Sequence, residues 1–156
     1  MQSQVSLKLA EILRDSLAHA SAHSKSVYGR NPLTVDELLE LTNAKGLVNL
    51  AATVKPDGQP HLSPTDVVTL DGRFFLGVDK ATARYKNLQK NPKVTVMIME
   101  GSKKQAIIEG QANFLETDSP LGKRVSELIK KKYGWTTDRL AELIPEKILT
   151  YKSSSG

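Results

Sequence analysis

The residues with the clearest chemical promise lie between Asp79 and Val94, in the stretch DKATARYKNLQKNPKV. Thr82 is suited to cap a short helix ending near Asn91-Pro92, since its hydroxyl can accept an orphan backbone N–H. Lys80, Arg84 and Lys86 crowd the start of that helix. There the macrodipole already places roughly half a positive charge, and acidic side chains are the norm. Exposed amides, a threonine hydroxyl and an arginine converging on one point suit a phosphate monoester. The same residues also read as a solvated basic face, and the local sequence leaves both readings open.

Other candidate chemistries are weaker. His19 and His23 are four apart on an expected helix, the spacing at which two imidazoles can share a metal. HASAH lacks the glutamate of HExxH and has no third ligand nearby, so no metal is expected. Ser63, in LSP, sits within an extended run and not on a GxSxG elbow, which argues against a serine hydrolase. Neither GxxxxGK[ST] nor GxGxxG occurs, so a P-loop or Rossmann nucleotide site is not expected.

Composition narrows the classes further. The 156 residues include no cysteine, which excludes disulfides, thiolate metal sites and cysteine nucleophiles. No apolar stretch approaches the ~20 residues of a membrane span, and MQSQVSLKLAEILRD carries charge where a signal peptide is apolar. A cytoplasmic protein without membrane contact is expected. The net charge of +5 is dispersed and aromatics make up 5% of the chain, so stacking platforms for bases are scarce and no nucleic-acid partner is expected.

The elements that must position these residues follow from patterning. LKLAEILRDSLAHASA places Leu9, Ile12, Leu13, Leu17 and Ala20 on one stripe, predicting a helix over Leu7 to Ala22. After the loop SKSVYGRNP, Thr34 to Glu37 form a capping box for a second helix ending near Ala44. LVNLAATV, HLSPTDVVTL and RFFLGV then read as a three-strand meander with turns at KPDGQP and DG. Pro64, lacking an N–H, must lie at an edge, a bulge or an opening of the ladder. The basic helix follows, then strands KVTVMIM and QAIIEGQANFLE, helical runs PLGKRVSELIKKKYG and TTDRLAELI, and a last strand KILTYK. The expectation is a mainly β protein with flanking helices (α+β), a six-stranded antiparallel barrel. Residues 1–45 form a helical extension, 46–152 the barrel, and 153–156 a disordered tail.

In their order and spacing, LAATVKPDGQPHLSP, DGRFFLGVDKATARYKNLQKNPKVTVMI and KQAIIEGQANFLE resemble the pyridoxamine 5′-phosphate oxidase-like family, the FMN-binding split β-barrels. The resemblance covers roughly Leu38 to Glu116. Its most specific parts are ATV-x-x-DG-x-P-H-x-S-P, the basic helix ending in N-L-x-x-N-P, and I-x-G-x-A at Ile108 to Ala112.

The resemblance implies that the anion is the FMN phosphate, held by Arg84 and Thr82; Lys80, at the same helix start, is a further candidate cofactor-binding residue. It places Ser63, Pro64 and Thr65 along the flavin ring edge and ribityl chain, Val78 and Asp79 at a strand end close to the ring, and Gln105 on the cofactor from a later strand. It further implies a homodimer with the flavin at the subunit interface, acting as an oxidoreductase on a small molecule. Ala83 stands where the oxidases carry an additional arginine, and their long C-terminal motif is not recognisable, so pyridoxamine phosphate is not the expected substrate. Two alternatives share the fold: a deazaflavin coenzyme in place of FMN, with Lys80 and Lys86 as candidates for its longer tail, or a non-catalytic module holding flavin or haem, with His61 as a candidate axial ligand. Trp135, the only tryptophan, is expected in the core or at a rim, the alternative being that it covers a flavin ring from the partner chain.

Overall fold

The computed structural model describes residues 3–154. Along the chain, α1 (Gln4–Ala18), α2 (Ala22–Tyr28) and α3 (Val35–Asn43) precede β1 (Val48–Val54), β2 (Pro60–Pro64), β3 (Val68–Leu70) and β4 (Arg73–Gly77). Then come α4 (Ala83–Lys90), β5 (Lys93–Glu100), β6 (Lys104–Leu115), α5 (Pro120–Tyr133) and β7 (Leu140–Lys152). The strands form one antiparallel seven-stranded sheet in the order β2-β1-β5-β6-β7-β4-β3.

That order overturns the meander. HLSPTDVVTL is two strands: β2 pairs with β1 at one edge, while β3 pairs with β4 at the other. Only Thr65, Asp66 and Val67 join them. Laid flat, six inter-strand spacings would hold the edges about 29 Å apart. The linker spans at most about 14 Å. The sheet must therefore curl until its edges almost meet, which makes the expected barrel, split along one seam. Pro64 ends the edge strand β2, where its missing N–H leaves no ladder bond unmade.

Local signals set most of the other elements. Thr34 and Glu37 make the reciprocal capping box of α3. Asp71 and Gly72, both at positive φ, form the two-residue turn between Leu70 and Arg73. Two helical readings need correction. The first helix stops at Ala18, and Ser21 caps a separate α2 where SKSVYGRNP reads as a loop. None of the α2 residues is buried, so it has no apolar stripe to reveal it. His19 and His23 therefore lie on different elements, His19 capping α1 and His23 within α2.

TTDRLAELI is not helical. Residues 140–144 begin the thirteen-residue β7, continuous with KILTYK. This strand is central, between β6 and β4, and is buried on both faces near its start: Leu140 lies under α5, while Ala141 and Leu143 face the barrel interior. Burial on both sides erases the alternation that marks a strand.

Phe74 and Phe75 show how one strand serves two cores. Phe74 packs inside the barrel with Leu9 of α1, Leu38 of α3, Leu88 of α4, Val96, Ile108 and Leu143. Phe75 faces outward under α5, against Val68, Val125, Ile129 and Leu140. Burying each phenylalanine contributes about 2–3 kcal/mol. Helix α5 covers only the β3-β4-β7 side of the outer face. Over β2, β1, β5 and β6 the outer rows are largely apolar: Pro64, Leu50, Met97 and Ile107 in one, Val48, Met99 and Gln105 in another. Leu62 and Val48 are 64% and 60% exposed.

The glycine of I-x-G-x-A has a specific task. Pro145 cannot donate to the ladder, and the β6–β7 register shifts there, between Glu109 and Gly110. A Cβ on Gly110 would lie 2.0 Å from the Ile144 carbonyl oxygen. Gly110→Ala is expected to destabilise the fold by about 2–3 kcal/mol, read as a lower urea midpoint with an unchanged denaturant slope.

Candidate functional site

Where the two sheet edges approach, the end of β2, the end of β4 and the start of α4 enclose an open cleft of ≈ 210 Å³. Arg84 spans the seam. Its Nη1 donates to Ser63 Oγ at 2.9 Å and to the Pro64 carbonyl at 3.0 Å, and its Nη2 donates to the Gly77 carbonyl at 3.0 Å. Its Nε is buried and has no partner. Burial pulls the guanidinium pKa down from its ordinary value, and Asp66 and Asp79 act in the opposite direction. Arginine remains charged throughout.

Thr82 caps α4 as the sequence predicts, accepting from the Tyr85 N–H at 3.2 Å and donating to the Asp79 carbonyl at 2.7 Å. The Asp79 carboxylate accepts from Thr137 Oγ1 and the Asp138 N–H. Of the expected site residues, Pro64, Thr65, Asp79, Thr82 and Arg84 line the cleft together. Ser63 joins them through Arg84. Val78 does not present its side chain, which is fully buried in the barrel core, and its N–H donates to the Arg139 carbonyl. Lys80 is exposed, with its N–H on Asp138.

Gln105 lies elsewhere. It sits near the start of β6, beside Met99 and Tyr151, and does not line the cleft. Three strand spacings, about 14 Å, separate its strand from β2.

Asp66, Lys132 and Tyr133, which sequence reasoning did not place here, build the inner wall together with Trp135, and of these Asp66 and Trp135 line the cleft. Asp66, 7% exposed, accepts from the Gly77 N–H with Oδ1 and from Trp135 Nε1 with Oδ2 at 2.9 Å. Gly77 has no side chain to spare: a Cβ there would meet the Asp66 carboxylate at 2.6 Å. The Tyr133 hydroxyl accepts from Asn49 Nδ2 and the Val67 N–H and donates to the Val67 carbonyl. Lys132 Nζ donates to the Thr42 and Val67 carbonyls. The crossing segment is thus gripped from three sides. Burial lowers the Lys132 pKa to about 8, with Asp66 opposing, and raises that of Tyr133. The usable sequence signal was the pairing of a lone acid in SPTDVV with the KKYGW end of α5, which only the fold brings together.

A curled antiparallel sheet with its seam bridged at the start of the helix after β4 defines the split β-barrel class. Within that class, the sequence pattern of the pyridoxamine 5′-phosphate oxidase family matches residues 34–152, and the chain belongs to that family. The chain is similar to the heme oxygenase HutZ of Vibrio cholerae serotype O1, 25% identical over 115 residues, which cover 69% of this chain and 65% of HutZ. It thus spans slightly less than two thirds of that relative. A crystal structure of HutZ, described as a haem storage protein, superposes with a TM-score of 0.61 at 23% identity, covering 75% of this chain and 92% of HutZ. The conserved hypothetical protein Rv2991 of Mycobacterium tuberculosis superposes at 0.68 with 19% identity (81% and 89% covered). An F420 reductase does so at 0.57 with 19% identity (70% and 94% covered).

The depressed Lys132 pKa makes stability depend on pH. Between pH of about 8 and 10.5 the unfolded chain holds a proton that the native lysine has lost, so this group makes stability rise with pH in that window. Below about 8 both states are protonated and the burial penalty stands in full. In Lys132→Met this contribution to the rise is absent, which urea midpoints at about pH 7.5 and about pH 9.5 will read as a smaller difference than in the wild type.

Proposed function

We propose that the chain is a cytoplasmic flavoprotein that binds FMN in the seam cleft as a homodimer and acts as an oxidoreductase on a small molecule. The observation that carries this reading is Arg84 itself, which lines the cleft at the start of α4 and keeps one guanidinium nitrogen, the buried Nε, without a partner. There the first-turn amides of Ala83 and Arg84 have no intrahelical acceptor, and no acidic residue occupies the first turn. A phosphate is the group these donors suit. Arg84 and the first-turn amides hold it, Thr82 shaping that turn as its cap, with Lys80 adding charge from the rim. Ser63, Pro64 and Thr65 border the flat part of the cofactor. Asp79 fixes the neighbouring 137–138 segment, and Val78 serves through its backbone position. When bound, FMN supplies hydride or electron transfer; the chain supplies position and electrostatics.

Two features support the dimer. On the outer face of β2, β1, β5 and β6, Val48, Leu50, Leu62, Pro64, Met97, Met99 and Ile107 are uncovered apolar side chains bordered by Thr95, Gln105 and Glu109, a surface that a second copy of the chain would cover. Gln105 stands on that face, remote from its own cleft, and so reaches a cofactor only across the boundary between two copies.

Two other cofactors merit direct comparison. A deazaflavin brings the same phosphate to α4, and the superposition with an F420 reductase supports testing it. Haem is raised by the likeness to HutZ. His61, whose buried Nδ1 has no partner, shares the core-facing row with Thr53 and does not line the cleft, which favours the flavin reading.

Purified protein is expected to retain oxidised-flavin absorption after loading with FMN and desalting, and to elute as a dimer. Leu62→Glu, at a residue 64% exposed in the single chain, is expected to give a folded monomer with FMN affinity lowered by on the order of tenfold or more. A monomeric wild type that holds FMN as tightly would remove the dimer from the proposal; retention of deazaflavin or haem with no FMN would remove the flavin assignment.

A further inference from the structure

One wall of the cleft is aromatic. Helix α5 ends at Gly134, whose left-handed φ of 82° turns the chain back on itself. This lays the Trp135 ring over Tyr133, with centroids 5.0 Å apart and planes inclined by 21°. Both rings are held at their edges. The indole N–H is fixed on Asp66, itself anchored by the Gly77 N–H, and the tyrosine hydroxyl is fixed on Asn49 and Val67. Yet Trp135 is 51% exposed and lines the cleft beside Pro64, Thr65 and Arg84. A large apolar ring kept rigid and half in water has its orientation determined in advance, so a ligand laid against it loses little conformational freedom of the protein. The indole face is also electron-rich, which favours contact with an electron-poor conjugated ring.

We propose that the Tyr133–Trp135 stack is the platform on which the cleft receives the flat heteroaromatic ring of its ligand, with Asp66 as the positioning residue that sets the indole's angle. This rests on the cleft being the cofactor site, but holds for any planar ring system bound there. Tyr85, the residue after Arg84, is not an alternative platform, because it does not line the cleft and packs with Phe114 against the barrel core.

Trp135 is the only tryptophan, so its fluorescence reports on this wall alone. The full chain is titrated separately with FMN, riboflavin and haem, following tryptophan emission and the long-wavelength absorption of a ring-to-indole charge-transfer contact. The same ligands are then measured against Trp135→Ala, Trp135→Phe and Asp66→Asn by equilibrium dialysis, with thermal melts as a check of folding. The platform predicts quenching in the wild type, affinity weakened by on the order of tenfold in Trp135→Ala, substantial recovery in Trp135→Phe, and an intermediate loss in Asp66→Asn. Riboflavin should show the same pattern as FMN, since the phosphate is not what the stack holds. A folded Trp135→Ala that binds within about twofold of wild type overturns the platform and leaves the flavin assignment standing. Haem binding that requires Trp135, with no flavin binding, upholds the platform and overturns the flavin assignment. No quenching by any planar ligand overturns both. Should Trp135→Ala fail to fold, the wild-type charge-transfer band decides, its absence in a flavin-loaded protein counting against the stack.

Discussion

Three residues, Thr65 to Val67, must carry the chain from one edge of a seven-stranded sheet to the other. A connection this short is compatible only with a strongly curled sheet, so the barrel's curvature is a geometric consequence of the linker and not merely of strand twist. The seam that results is not zipped by backbone ladders. It is closed by side chains: Arg84 reaching the carbonyls at the ends of β2 and β4, and Asp66 accepting the Gly77 N–H. The cleft is the space this arrangement leaves.

Charge placement at the seam follows from burial. A guanidinium largely removed from water needs compensation, and it has three oxygen acceptors and two nearby carboxylates. Lys132 has two carbonyls and the more distant Asp66. Asp66 thus sits between two cations from different helices while bonding a strand amide and an indole. Removing any one member leaves the others buried and undercompensated, so substitutions here are expected to be non-additive.

What the sequence disclosed was mostly local. The Thr34-Glu37 box, the Thr82 cap and the Asp71-Gly72 turn are short-range chemistry and appear where their residues predict them. What it concealed was set by partners far along the chain: β7, buried on both faces at its start, mimics a helix, and the split of HLSPTDVVTL is decided by β1 and β4, not by its own residues. The same division runs through the site. Thr82, Arg84 and Ser63 to Thr65 do converge, but Arg84 already grips β2 and β4, and Val78 shows only backbone. Gln105 stands on another face. Asp66, Lys132, Tyr133 and Trp135 carried no motif, because their relation exists only after the end of α5 meets the crossing segment.

The position of β7 has a bearing on how the protein is made. It is the last of these strands in sequence, yet it lies between β6 and β4 in the sheet. Until it pairs, β1, β2, β5 and β6 form one fragment and the β3–β4 hairpin another, each with an unpaired inner edge. On a ribosome emitting the chain from its first residue, those edges stay open until the final strand emerges, the interval in which strand edges are most prone to wrong partners. Pairings such as Phe74 with Leu143 also lie far apart in sequence, which slows closure. Order of emergence thus leaves β7, an interior strand flanked by β6 and β4, as the piece whose pairing joins the two fragments into one sheet.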